Sequence, residues 1–239
     1  MITNNNYRVI DSTIVICEGG LIAKNILDTD EIIQAYHLRH RIFCQKLGWR
    51  SETNNELEID DYDIEAVFFG VFNEKNQLLA FLRIIMPEKV FMLENEFIHL
   101  VRPCHKVRKE YDTVEISRLC VAPETRKNNL SFPFQPYHLS LILYKSVYHW
   151  CIRNKIRYTY LVVGKPFLRL LDMQGFPCKA IGEPTKMPDG FVTVAAIMDL
   201  REFERCNALK QPEMLEWFTQ YQSIPVQKQL QQPVPCSPH

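Results

Sequence analysis

The stretch Thr113–Val121, Thr-Val-Glu-Ile-Ser-Arg-Leu-Cys-Val, reads as a strand buried among other elements. Val, Ile, Leu and Cys give the near-continuous apolar run expected where both faces of a sheet are covered. Glu115, Ser117 and Arg118 interrupt it. A carboxylate and a guanidinium inside such a strand are costly unless paired or used, which makes the stretch a candidate site. On these residues alone, a buried ion pair that only fixes packing is an equal reading.

Upstream, Asp28-Thr29-Asp30-Glu31 places capping residues and acids at a helix start, and the helix is expected to run to about Leu47, where Gly48 stops it. Ile32, Tyr36, Arg39, Phe43 and Leu47 recur on one face, so Arg39 lies within an apolar stripe. Trp49 opens a polar, aperiodic segment read as a mobile loop. Glu58-Ile59-Asp60-Asp61-Tyr62-Asp63 then follows, too acidic for an ordinary connection. Val9–Cys17 and Leu21–Leu27 read as short strands around Glu18-Gly19-Gly20, and Ala66–Asn73 with Leu78–Met86 as a hairpin whose second strand is interrupted by Arg83. Phe91–Val101 reads as a short helix or turn.

Downstream, a long helix is expected over Pro136–Asn154, with Arg153, Lys155 and Arg157 clustered at its end. Tyr158–Val163 reads as a buried strand, Pro166–Met173 as a helix stopped by Gly175, and Phe191–Leu200 as a final strand. Terminal helices follow, and Ser223–His239, rich in Pro and Gln, is expected to be disordered. The series β-α-β-β-β-α-β-α-β describes one α/β domain over residues 1–222, a mixed sheet with helices on both faces.

Composition narrows the function. With 28 basic and 28 acidic residues in 239, no long-range field favours nucleic acid or an anionic membrane. Eight scattered cysteines without a C-x-x-C read as free thiols in a reducing cytoplasm, and no Cys/His set has metal-site spacing. No signal peptide and no run of roughly 20 apolar residues is present, so a soluble, cytoplasmic protein without stable membrane insertion is expected.

Taken in order, Arg39, Phe43, Trp49, the run Glu58-x-Asp60-x-Tyr62-Asp63, Arg83 and Glu115-x-Ser117-Arg118 form a series that resembles the acyl-homoserine lactone synthases, the LuxI-type autoinducer synthases, over roughly residues 35–175. The phrase Phe91-Met92-Leu93 to Leu100 is similar to that family's segment before the Glu strand. The resemblance implies an acetyltransferase-like (GNAT) fold with a V-shaped cleft. It implies S-adenosylmethionine and an acyl thioester, on acyl carrier protein or coenzyme A, as substrates, and no cofactor. Arg126-Lys127-Asn128-Asn129-Leu130 lacks the glycines of an acetyl-coenzyme A pyrophosphate loop, which disfavours acetyl-coenzyme A as donor.

Within that resemblance Glu115 is the expected base, Arg118 would hold its carboxylate, and Ser117 would anchor the acyl or amine end. Asp60, Asp63 and Arg83 would meet the charged ends of S-adenosylmethionine, and Arg39, Phe43 and Trp49 would close over it. Leu161 and Val163 would line the acyl pocket; Arg153, Lys155 and Arg157 would receive the acidic carrier. A β-bulge in the Glu115 strand is expected, since simple alternation puts Glu115 and Arg118 on opposite faces. A long-chain N-acyl amino acid synthase and a non-catalytic acyl-carrier-binding module are the alternatives.

Overall fold

The computed structural model describes residues 13–127 and 138–221. A hairpin of β1 (Val15–Glu18) and β2 (Leu21–Asn25) precedes α1 (Thr29–Arg39), which Asp28 caps by accepting the N–H groups of Asp30 and Glu31. The helix does not continue regularly to Leu47. From His40 to Lys46 it widens into a π-helix, with Leu47 N–H donating to the Ile42 carbonyl at 3.0 Å, before Gly48 ends it at φ +65°. Such local widening is frequent at functional sites, because it turns a side chain off the regular helical face.

The hairpin β3 (Val67–Phe72) and β4 (Leu78–Ile85) forms as its alternation requires, and the short α2 (Met92–Asn95) follows. The interrupted strand is β5 (Thr113–Val121), followed by α3 (His138–Arg153), β6 (Tyr158–Gly164) and α4 (Lys165–Met173). Two short strands not expected from the sequence, β7 (Cys178–Ala180) and β8 (Thr185–Lys186), pair with the long β9 (Val192–Asp199). At three and two residues they are too short to carry a period. Helices α5 (Leu200–Lys210) and α6 (Pro212–Thr219) close the described chain. The tail beyond Gln222 and the loop after Lys127 lie outside the described residues.

The sheet runs β1-β2-β3-β4-β5-β6-β9-β7, with β8 also on β9. Only β5 and β6 pair in parallel, and only from Thr113↔Tyr158 to Ile116↔Leu161. Beyond Ile116 the two strands part, β5 continuing to Val121 and β6 to Gly164. This is the mixed sheet with a V-shaped opening that the resemblance implied. Helix α1 covers one face through Phe68, Phe72 and Phe81; α3 covers the other through Phe69, Val71 and Leu82. Adjacent Phe68 and Phe69 therefore serve opposite cores, as strand alternation dictates. Among the described residues no helix is long and apolar enough to cross a membrane.

Candidate active site

The expected bulge is present. Phe81 faces Cys120 and Arg83 faces Ser117, so the single residue Leu82 of β4 stands opposite two of β5, Arg118 and Leu119. Arg118 takes φ +55°, a left-handed conformation that costs a non-glycine residue on the order of 1–3 kcal/mol and persists only where surrounding contacts fix it. As a result Glu115, Ser117 and Arg118 all line one cleft.

Three arginines and three carboxylates meet beside it. Arg39 donates to Glu58 at 2.5 Å and to Asp63 at 2.7 Å. Arg83 donates to Asp60, to Asp63 at 2.7 Å and to Ser117 Oγ at 2.9 Å. Arg118 donates through Nε and Nη2 to Glu58 at 3.1 and 2.9 Å, and to Asp60 at 2.5 Å. The cluster is neutral overall, as burial demands. Burial works against ionisation of Glu58, but Arg39 and Arg118 outweigh it and hold the carboxyl below its ordinary range. Asp60 is held low against burial by Arg83 in the same way. Asp60 and Asp63 are positioned by a one-turn 3-10 helix, Asp61–Asp63, whose capping box joins the two side chains to each other's backbone.

Two expected roles are corrected here. Arg39 is fully buried against Tyr36 and Phe81 and does not reach the cleft; Phe43 and Trp49 line it, stacked at 6.0 Å, with Trp49 edge-on to Phe191 at 5.8 Å. Arg118 does not hold Glu115, because its fork is taken by Glu58 and Asp60 while its face lies 5.5 Å from the Phe43 ring. Glu58, the partner of both Arg39 and Arg118, carried no expected role, although it opens the acidic run that flagged the site.

Glu115 stands apart from the cluster. Its two oxygens accept the backbone N–H groups of Met92 at 2.6 Å and Leu93 at 3.1 Å. Burial pushes its carboxyl up to about 7, against the opposing pull of those two N–H groups and of Arg83. A carboxylate on a cleft wall that is half ionised near neutrality is suited to accept a proton. The Phe91-Met92-Leu93 phrase thus supplies the two donors that orient it.

Behind Glu115 the cleft, about 740 Å³ in all, continues as an apolar cavity between β5, β6, α3 and α4. Leu161 and Val163 line it, as does Thr159, whose buried hydroxyl has no hydrogen-bond partner. Arg153, Lys155 and Arg157 are not near its mouth. They precede β6, at the end of the sheet opposite the parting of β5 and β6, where Arg157 is paired with Asp199 at 2.7 Å and Arg153 donates to the Thr13 carbonyl. The carrier-docking role expected of them is therefore corrected: a helix end can look basic in sequence without facing the cleft.

A family model described as "Autoinducer synthase" matches residues 23–208. The acyl-homoserine-lactone synthase of Vibrio anguillarum is 26% identical over 156 residues, 64% of this chain and 77% of the relative. That of Aeromonas hydrophila is 25% identical, over 75% of this chain and 84% of the relative. Among solved structures, the coenzyme A-dependent acyl-homoserine lactone synthase BjaI with S-adenosylmethionine and isopentyl-coenzyme A superposes with a TM-score of 0.62 at 24% identity, covering 75% of this chain and 81% of that one. The synthase LasI gives 0.64 at 19% identity, covering 79% and 91%. At such identities the superpositions speak for the fold.

Proposed function

This chain belongs to the autoinducer synthase family, and from that premise we propose that it N-acylates S-adenosylmethionine from an acyl thioester and lactonises the product to an acyl-homoserine lactone. The observation that carries the reading is Glu115: a buried carboxylate near half ionisation at pH 7, on the wall where an ionic cleft meets an apolar cavity.

The α-amine of the acceptor is protonated at neutral pH and must lose a proton before it attacks. Glu115 takes that proton, directly or through a water molecule. The new C–N bond forms as the thioester C–S bond breaks, and the thiol leaves with a proton. The carboxylate of the methionine portion then displaces the sulfonium at its γ-carbon, closing the lactone and releasing methylthioadenosine. S-adenosylmethionine is a substrate here and donates no methyl group.

Asp60 is the most accessible carboxylate of the ionic cluster, with 14% of its side chain exposed, and suits the cationic end of the acceptor. Arg118, bonded to Asp60 at 2.5 Å, lines the cleft itself. Phe43 and Trp49 offer ring faces to the adenine. The buried pair Arg39 and Arg83, with Asp63, holds this array in register, and Ser117 fixes Arg83. The apolar cavity takes the acyl chain. The thioester's carrier, protein or coenzyme A, approaches where β5 and β6 part; Lys46 lines that mouth and the exposed Lys165 opens α4 beside it. A cytoplasmic site of action accords with such donors and with the scattered free thiols.

Purified protein mixed with S-adenosylmethionine and a panel of acyl thioesters tests the reading. Methylthioadenosine and free thiol in equal amounts are expected. Thiol release only when a free amino acid is supplied would indicate an N-acyl amino acid synthase instead, and neither product would indicate a binding module.

A further inference from the structure

The cavity behind Glu115 ends on aromatic rings. Phe218 of α6 is fully buried, with ring centroids 5.3 Å from Phe203, 5.8 Å from Phe176 and 6.1 Å from Tyr148, and all four residues line the cavity. Their place at the closed end follows from the topology. Thr159 is the second residue of β6 and pairs with Met198, one residue before α5 begins to be capped by Asp199, so α5 and α6 stand at the end opposite the parting strands.

Helix α6 is also fastened there. Glu18 accepts Trp217 Nε1 at 2.8 Å and Lys145 Nζ at 2.5 Å, Lys145 lies over the Trp217 ring at 4.4 Å, and His149 Nε2 is 2.7 Å from the Phe218 carbonyl. An aromatic ring held from both sides in this way is a rigid stop. Helix α6 lies beyond residues 23–208, the part of the chain that the family model matches. Phe218 thus stands in the segment beyond the matched part, while Phe203, Phe176 and Tyr148 stand within it.

We propose that Phe218, backed by Phe203, is the chain-length stop of the acyl pocket, and that the pocket is built for a long acyl chain. The proposal rests on the acyltransferase reading above. From Leu161, one residue past the level of Glu115 and so beside the third carbon, to Thr159 the cavity wall spans two residues of β6, roughly 6.6 Å at about 3.3 Å per residue. An extended alkyl chain built of bonds of about 1.5 Å advances about 1.3 Å per carbon, so that wall carries the chain to about its eighth carbon before the aromatic end is reached. Chains of four to six carbons would leave the aromatic end uncovered.

The test compares the parent with Phe218→Leu, which deepens the pocket, and Cys151→Leu, which narrows it from α3 at the same end. Two readouts are taken over even-numbered chains from four to sixteen carbons: methylthioadenosine release from the thioesters, and calorimetric binding of the matching non-hydrolysable S-alkyl pantetheines. The parent is expected to prefer about eight or more carbons. Phe218→Leu should move the optimum to a longer chain and Cys151→Leu to a shorter one, each changing the ratio between neighbouring chain lengths by about tenfold, the scale of a methylene or two in a fitted pocket. Should Phe218→Leu fail to fold, Cys151→Leu still decides. A parent that prefers short chains, or an optimum unmoved in folded variants, overturns the proposal. Length-dependent binding without methylthioadenosine would overturn the reaction while leaving the stop in place.

Discussion

Glu115 Oε2 accepts the backbone N–H of Met92 at 2.6 Å, although the two residues are 23 positions apart and belong to a buried strand and a one-turn helix. The contact fixes the carboxylate without neutralising it by a cation. The arginines nearby hydrogen-bond to Glu58, Asp60 and Asp63 and none to Glu115, so burial outweighs the pull of Arg83 and the Glu115 carboxyl rises to about 7. Separating Glu115 from the ion cluster keeps its carboxyl able to gain and lose a proton near neutral pH.

That separation has two consequences for Glu115→Gln. Turnover should fall by about two orders of magnitude, the range of a lost general base, and the rise of kcat/KM through pH 7 expected of the parent should be absent from the variant. Stability should respond the other way. A carboxyl whose folded pKa is raised contributes stability that is present below its ordinary range and lost as pH rises through about 7, so above that pH the uncharged variant should be the more stable in urea unfolding. A pH-independent difference in both assays would place the base elsewhere.

Much of this site was legible in the sequence, because Arg39, Arg83, Glu115 and Arg118 are charges set inside apolar periods, and such interruptions are visible without coordinates. Their pairing was not. Which carboxylate meets which guanidinium depends on the place of the bulge, expected in this strand but not located to Arg118, and on the widened turn before Gly48, which leaves no compositional trace. The β7 and β8 strands were missed for lack of length. The position of Arg153 and Lys155 was misjudged because local charge carries no information about which end of the sheet opens.

Arg39→Gln should destabilise the fold by about 3–5 kcal/mol, since it takes one guanidinium from both Glu58 and Asp63, leaving each with a single cation and the buried cluster with an uncompensated negative charge. Glu58 and Asp60 have depressed pKa values in the folded state. Their contribution is present above the ordinary carboxylate range and lost as pH falls through the folded values. Removing Arg39 raises the folded value of Glu58, so acid unfolding of the variant should begin at higher pH. Urea midpoints measured from pH 3 to 7 check this, and an unshifted acid limb would show that Arg118 alone sets Glu58.

Reversing Lys46 to Glu should raise the KM for a thioester on acidic carrier protein more than for the same acyl group on coenzyme A, because Lys46 lines the cleft mouth. Reversing Arg153 and Lys155 should change neither, since both precede β6 at the far end of the sheet. The opposite pattern would move the docking surface to that end.

The acyl chain gives the last prediction. Leu161 is level with Ile116, one residue past Glu115 on β5, and Leu161 and Val163 present hydrocarbon to the first part of the cavity. A ketone at the third carbon would leave its water partners and find no side-chain hydroxyl on this stretch of β6. On the protein scale that costs about 1–3 kcal/mol, or roughly fivefold to a hundredfold in competition. The unpartnered hydroxyl of Thr159 does not repair this. It lies two residues deeper than Leu161, roughly 6.6 Å further along the strand, where it meets the middle of a long chain. An unsubstituted donor should therefore outcompete the 3-oxo donor of equal length when both are present in one tube and the products are resolved by mass. Leu161→Thr, which places a hydroxyl at that level, should narrow or reverse the preference. A parent enzyme that favours the 3-oxo product would mean that backbone or ordered water supplies the bond, and the variant would then gain nothing.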